Sequence, residues 1–229
     1  MEKENRQTKR KKAALIGASG LIGSHLVELL KKDPVYETVH LVVRRPFPAD
    51  HHQFRVKEID FEDPDAFRTA IEGTDVVFCA VGTTTRKVKG DRQAYRKVDV
   101  DIPVHAAEFC LETGGRQFLV VSSIGADSKS STFYLRLKGE VEDRLREMAI
   151  PSVSVFRPSL LLGRRREQRF GERAAQVVMG PLAFAVPSRY KPIRAHDVAR
   201  AMLAASHHPP EGFRVYHYAE MMAAIAAHR

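Results

Sequence analysis

Short runs of apolar and β-branched residues alternate along the chain with stretches whose apolar positions recur every three or four residues. The first pattern belongs to buried strands and the second to helices. Their alternation predicts a parallel sheet covered on both faces. Strands are expected at Lys12–Ile16, Val39–Val43, Phe54–Glu58, Val76–Ala80, Phe118–Val121 and Ser152–Phe156. Helices are expected over Leu21–Lys31, Pro64–Glu72, Gln93–Thr113 and Thr132–Met148. Asp63 offers the second helix a capping side chain and Pro64 a pre-set first residue. Gly114-Gly115 stops the third. After Gly163 the rhythm loosens. A helix is expected within Glu172–Met179 and another over His196–Ser206, facing inward through Val198, Met202 and Ala205. A strand at Phe213–Tyr216 and a short alanine-rich helix close the chain. The fold class expected is α/β, a doubly wound parallel sheet of the dinucleotide-binding kind. It forms one domain over 13–229, after a basic arm over 1–12, and 164–229 adds a small substrate-side cap.

Composition narrows the classes without choosing among them. With 229 residues, 44% of them apolar and 28% charged, the chain suits one sizeable globular core rather than a disordered or fibrous protein. The longest apolar candidate, 174–187, is broken by Gln176, Gly180 and Pro181 and is too short to span a bilayer. The charged N-terminus has no apolar core of the secretory kind. Cys79 and Cys110 lie in apolar runs and read as reduced core thiols, so a cytoplasmic location is expected. The histidine pairs His51-His52 and His207-His208 have no third ligand at useful spacing, so no metal is expected. Asp75 and Asp197 are expected to join strand and helix ends.

The net charge of +9 is uneven. Residues 1–12 hold six Lys/Arg and two Glu, and Arg164, Arg165, Arg166 and Arg169 surround a single Glu167. No recognition module or interleaved aromatic set accompanies the arm, which argues against nucleic acid as a partner. The arginine cluster is expected beside the crevice, where it would attract an acidic substrate or partner; a solvated basic loop is the competing reading.

Gly17-Ala18-Ser19-Gly20-Leu21-Ile22-Gly23 follows the first strand and opens a helix. Glycines let backbone approach a pyrophosphate, and the helix start offers unpaired N–H groups with a positive dipole end. A site for NAD usually carries a carboxylate about 20 residues on, for the ribose hydroxyl. Here the second strand ends in Arg44-Arg45, whose guanidinium forks suit the extra phosphate of NADP(H). Farther on, Tyr134 and Lys138 stand four apart on a predicted helix, hence on one face. A phenol titrating near 10 needs a neighbouring cation to act in proton transfer near neutrality. Ser122 and Ser123, just past the fifth strand, are both available to hold a substrate oxygen.

Together the stretches GASGLIG, VVRR, DFED, DVVFCAVGTT, VVSSIGAD, YLRLKGEVE, SVFRPSLLLG and HDVARAM resemble the short-chain dehydrogenase/reductase superfamily in its atypical or extended branch. More narrowly, the chain resembles the Tat-interacting-protein oxidoreductase family and its bacterial relatives. That resemblance implies a Rossmann fold binding NADP(H). It implies that Gly17, Ser19, Gly20, Leu21, Ile22 and Gly23 line the pyrophosphate and that Arg44 and Arg45 hold the adenosine phosphate. Asp60 and Phe61 would flank the adenine, and Ala80, Val81 and Gly82 the adenosine ribose. Ser122, Pro158, Ser159 and Leu160 would lie near the nicotinamide. Ser123, Tyr134 and Lys138 match the catalytic set, with Tyr134 and Lys138 also touching cofactor. The asparagine common after the fourth strand is absent, and Asp99 is the polar residue near its helix-borne counterpart. Two readings stand: an NADP(H)-dependent oxidoreductase on a small carbonyl or alcohol, and an NADPH-binding regulatory or partner-binding protein. Chemistry on sugar nucleotides, a third, lacks room in so short a cap.

Overall fold

A computed structural model describes residues 10–84, 88–162 and 187–228. The main sheet contains β1 (Lys11–Ile16), β2 (Tyr36–Val43), β3 (Phe54–Glu58), β4 (Val76–Cys79), β5 (Gln117–Val121), β6 (Ser152–Phe156) and β9 (Gly212–Tyr216). A separate pair joins β7 (Leu161–Leu162) to β8 (Ile193–Arg194). Seven strands lie in the order β3-β2-β1-β4-β5-β6-β9, all parallel. The chain winds outward one way from β1 and then returns to start β4 on its other side. That reversal opens a crevice at the carboxyl ends of β1 and β4.

Strand periodicity sorts the core into two layers. Ala13 and Leu15 of β1 face one side, packed with Leu26, Tyr36, Phe78, Val198 and Met202. Ala14 and Ile16 face the other, with Phe67, Val104, Phe109, Leu137 and Leu145. The first side is covered by α1 (Leu21–Leu30), α6 (Ala195–His207) and α7 (Tyr218–Ala227). The second is covered by α2 (Pro64–Ile71), α4 (Ile102–Glu112) and α5 (Phe133–Glu147). Asp63 caps α2, accepting from the N–H groups of Asp65 and Ala66. Asp75 ties strand ends together, its Oδ2 accepting the Lys12 N–H at 2.8 Å. Both thiols are buried, and burial pushes Cys79 up to about 11 and Cys110 up to about 12.

The helix expected over Gln93–Thr113 runs as α3 (Arg92–Arg96), a π-helical turn at Lys97–Asp101, and α4. Pro103 explains the interruption. It has no N–H for the carbonyl of Asp99 four residues back, and its ring would crowd that carbonyl. The backbone widens instead, and the Ile102 N–H reaches back to Lys97 O.

Three further expectations change. Lys11 and Lys12 belong to β1, so the arm ends before them, and residues 1–9 lie outside the described residues. β2 begins at Tyr36 rather than Val39, because Tyr36 pairs with Lys11 and buries its ring. Of the segment expected as a cap, α6, β9 and α7 belong to the sheet and its covering layer. Among the described residues, the stretch around β8 pairs with β7 beyond the carboxyl end of β6. The Arg164–Arg169 cluster and the helix expected within Glu172–Met179 lie outside the described residues.

Candidate active site

Gly17 takes a left-handed φ of +93°, and a Cβ there would stand 2.8 Å from the backbone of Ala80. The turn is therefore pressed against the end of β4, which only glycine permits. Gly20 donates to Gly17 O at 2.9 Å, closing the turn. At Gly23 a Cβ would fall 2.0 Å from Gly17 O, so this glycine lets α1 seat on the turn. α1 begins with no capping side chain and no acidic residue in its first turn. Its first N–H groups and positive dipole end thus face the mouth of the crevice with no carboxylate in their own turn. A pyrophosphate is what such a cradle fits. Ser19 is exposed there, whereas the Ile22 side chain is core, so Ile22 can line the cradle by backbone alone.

The other expected cofactor residues follow the carboxyl ends of β2, β3, β4 and β6, along the same edge of the sheet. Arg44 and Arg45 follow β2 directly and both are exposed. Asp60 follows β3, its Oδ1 accepting the Glu62 N–H at 2.9 Å, and Phe61 packs edge-to-face on Phe67. Ala80, Val81 and Gly82 follow β4. Pro158 follows β6 and accepts from the Ile124 N–H, while Leu160 O accepts from Ile193.

Tyr134, Lys138 and Glu142 form one stripe along α5. Lys138 is 4% exposed, with Nζ 3.0 Å from Asp99 Oδ1 and 5.9 Å from the Tyr134 ring centroid. Burial alone would lower its pKa. The Asp99 carboxylate and Tyr134 oppose that, and the ammonium is held above the ordinary lysine value. Asp99 sits in the π-helical turn, and its Oδ2 accepts the Thr83 N–H at 2.8 Å. Gly82 lies beside it, where a Cβ would make ordinary contact, 3.7 Å from Asp99 Oδ1.

The serines divide. Ser122 is buried and donates to Glu142 Oε1, and Glu142 in turn accepts two nitrogens of Arg157. Its hydroxyl is committed to fixing the ends of β5 and β6. Ser123 is half-buried, and among the described residues its hydroxyl makes a long 3.3 Å contact to Ile124 O. Of the two it is the one placed to give its hydroxyl to a substrate. Glu142 and Asp99 are the site residues that sequence reasoning missed or left without a role. Glu142 had a signal, being the next carboxylate on the Tyr134–Lys138 stripe. Asp99 was singled out as the polar residue near the helix-borne counterpart of the missing asparagine, but its pairing with Lys138 was not legible, because that partner arrives from another helix.

A family of NAD(P)H-binding proteins matches residues 17–209. Protein HTATIP2 of Rattus norvegicus is 35% identical over 204 residues, covering 88% of this chain and 83% of that protein. Protein FMP52, mitochondrial, of Debaryomyces hansenii is 30% identical over 200 residues, covering 86% and 88%. Among solved structures, MoeE5 in complex with UDP-glucuronic acid and NAD superposes with a TM-score of 0.69 at 20% identity, covering 90% of this chain and 76% of that one. A short-chain dehydrogenase/reductase of Veillonella parvula DSM 2008 in complex with NADP gives 0.60 at 15% identity, covering 86% and 87%. These two likenesses show the fold. Among the described residues no helix is long and apolar enough to cross a membrane.

Proposed function

The chain belongs to the NAD(P)H-binding family and is similar to HTATIP2 and FMP52, and from that premise we propose that it is an NADP(H)-dependent oxidoreductase acting on a small carbonyl or alcohol. One observation carries the reading. The buried Lys138 ammonium stands 5.9 Å from the Tyr134 ring centroid on α5, and this supports a catalytic set that Ser123, just past β5, would complete. The cradle and α1 would hold the pyrophosphate, and Arg44 with Arg45 the 2′-phosphate.

When bound, the reduced nicotinamide supplies a hydride to a carbonyl carbon. Ser123 gives a hydrogen bond to the carbonyl oxygen and fixes its position. Tyr134 passes its phenolic proton to that oxygen as negative charge develops there. Lys138 stays protonated beside the ring, stabilises the phenolate left behind, and offers N–H donors to a ribose hydroxyl. In the oxidative direction Tyr134 takes the proton back. The basic segment Arg164–Arg169 adds an acidic group on the substrate or partner to the proposal. The compartment proposed is the cytoplasm, with the mitochondrial naming of the fungal relatives as the competing assignment.

The second reading, a cofactor-binding regulator acting through a protein partner, draws on Asp99. Its carboxylate offsets the ammonium charge that would otherwise favour a phenolate. Turnover separates the two. Aldehydes, ketones and quinones are screened for loss of NADPH absorbance, and Tyr134→Phe is then assayed on the best substrate. The expected result is a rate lower by about 10²–10⁴, with NADPH affinity little changed. Wild-type turnover by Tyr134→Phe would overturn the mechanism, and NADPH-dependent association with a protein in the absence of any turnover would favour the regulator.

A further inference from the structure

In a doubly wound sheet, each helix returns the chain to the edge opposite the crevice. There, three residues that no sequence spacing links come together. Asp33 lies in the turn from α1 to β2, His207 ends α6, and His228 follows α7. One carboxylate oxygen and one ring nitrogen from each histidine lie within 4.8 Å of one another. Val35 N–H holds Asp33 Oδ1 at 2.9 Å, which leaves Oδ2 turned toward His207. His207 Nε2 is buried and stands 2.9 Å from that oxygen, an ion pair when the ring is protonated. The His228 ring stands edge-on to the His207 ring, with centroids 4.5 Å apart. Two ring nitrogens and a carboxylate oxygen converging this closely can share one cation in place of a proton, each imidazole giving its lone pair.

We propose that Asp33, His207 and His228 form a binding site for a divalent transition-metal ion of the Zn²⁺ type. Two imidazoles and a carboxylate are a borderline donor set suited to Zn²⁺, whereas Mg²⁺ and Ca²⁺ favour oxygen ligands. The hydrogen bond from Val35 fixes the ligating carboxylate from behind, as outer-shell partners do at metal sites. Three protein ligands leave a fourth position for water. The role is structural. Lys11 Nζ and the Tyr36 hydroxyl already meet Ser206 at this corner, and the ion would fasten the end of α7 to it.

The test titrates Zn²⁺ into the full chain, read by thermal midpoint and by calorimetry, with Co²⁺ absorbance as a ligand-field probe. One ion per chain should bind and raise the midpoint. His228→Ala removes an exposed side chain and spares the core, so it should weaken binding by at least about tenfold while leaving the metal-free midpoint unchanged. His207→Ala should do the same to binding. The neighbouring rings of His51 and His52 are the control, and replacing both with Ala should change nothing. Absence of binding, binding untouched by His228→Ala, or binding lost with the His51/His52 pair would each overturn the site.

Discussion

Burying a lysine is costly unless a counter-charge accompanies it, and Asp99 is the counter-charge for Lys138. Asp99→Asn keeps the shape and an acceptor for Thr83 but leaves an unbalanced ammonium in the interior. A loss of about 3–5 kcal/mol is expected in urea unfolding at neutral pH. Because Lys138 is held above its ordinary value, its share of stability is in place at neutral pH and fades only as pH climbs through the alkaline range. The same variant increases the positive charge beside Tyr134, so oxidative turnover should rise at lower pH than in wild type. An unchanged unfolding midpoint and pH profile would remove Asp99 from this role. At the cofactor's other end, Arg44→Ala with Arg45→Ala should weaken NADPH by about tenfold or more while NADH changes little, as titration of both would register. Much at this scale was legible. The glycines, the arginine pair and the Tyr134–Lys138 spacing are local patterns, and they lie just after β1, just after β2 and on α5. The choice between Ser122 and Ser123 had no such basis in the residues, because it turns on Glu142 and Arg157, which approach from α5 and β6.

Among the elements, α5 does most to assemble the rim, and Gly139 is the reason it can. A Cβ there would lie 2.0 Å from Ser128 N and 2.1 Å from Asp127 C. The loop leaving β5, which carries Ser122 and Ser123, therefore rests directly on the helix backbone one residue after Lys138. Gly139→Ala must push that loop away. Overpacking of this kind costs about 1–3 kcal/mol, and displacement of Ser123 by about an ångström should lower turnover about 10²-fold. NADPH affinity should suffer far less, since the cradle lies on β1 and α1. Measuring melting temperature, kcat and NADPH affinity together checks this, and equal losses in all three would mean general unfolding instead. Strands and helices with clean periodicity were legible in the residues. The π-helical turn was not, because Lys97–Asp101 keeps an apolar rhythm and only Pro103 betrays it. Two-residue strands such as β7 and β8 are too short to carry any period.

For the whole molecule, alternation of strand and helix identified a doubly wound sheet, and the handedness and short connections of such folds supply the strand order. What alternation cannot convey is which distant residues meet at the edges. Asp33, His207 and His228 belong to three separate connections, and only the finished topology makes them neighbours.

The same holds for the cradle, whose contact between Gly17 and Ala80 joins a turn formed early in the chain to the end of a strand three strands later. Neither half of the sheet contains a binding site alone. A dinucleotide seated there grips only chains in which β4 has docked beside β1. Occupancy therefore selects the completed sheet from partly assembled ones, and by mass action it adds RT ln(1 + [L]/Kd) to the stability of that arrangement. A cell's cofactor pool would then act on this protein as a chaperone does, by rewarding correct assembly.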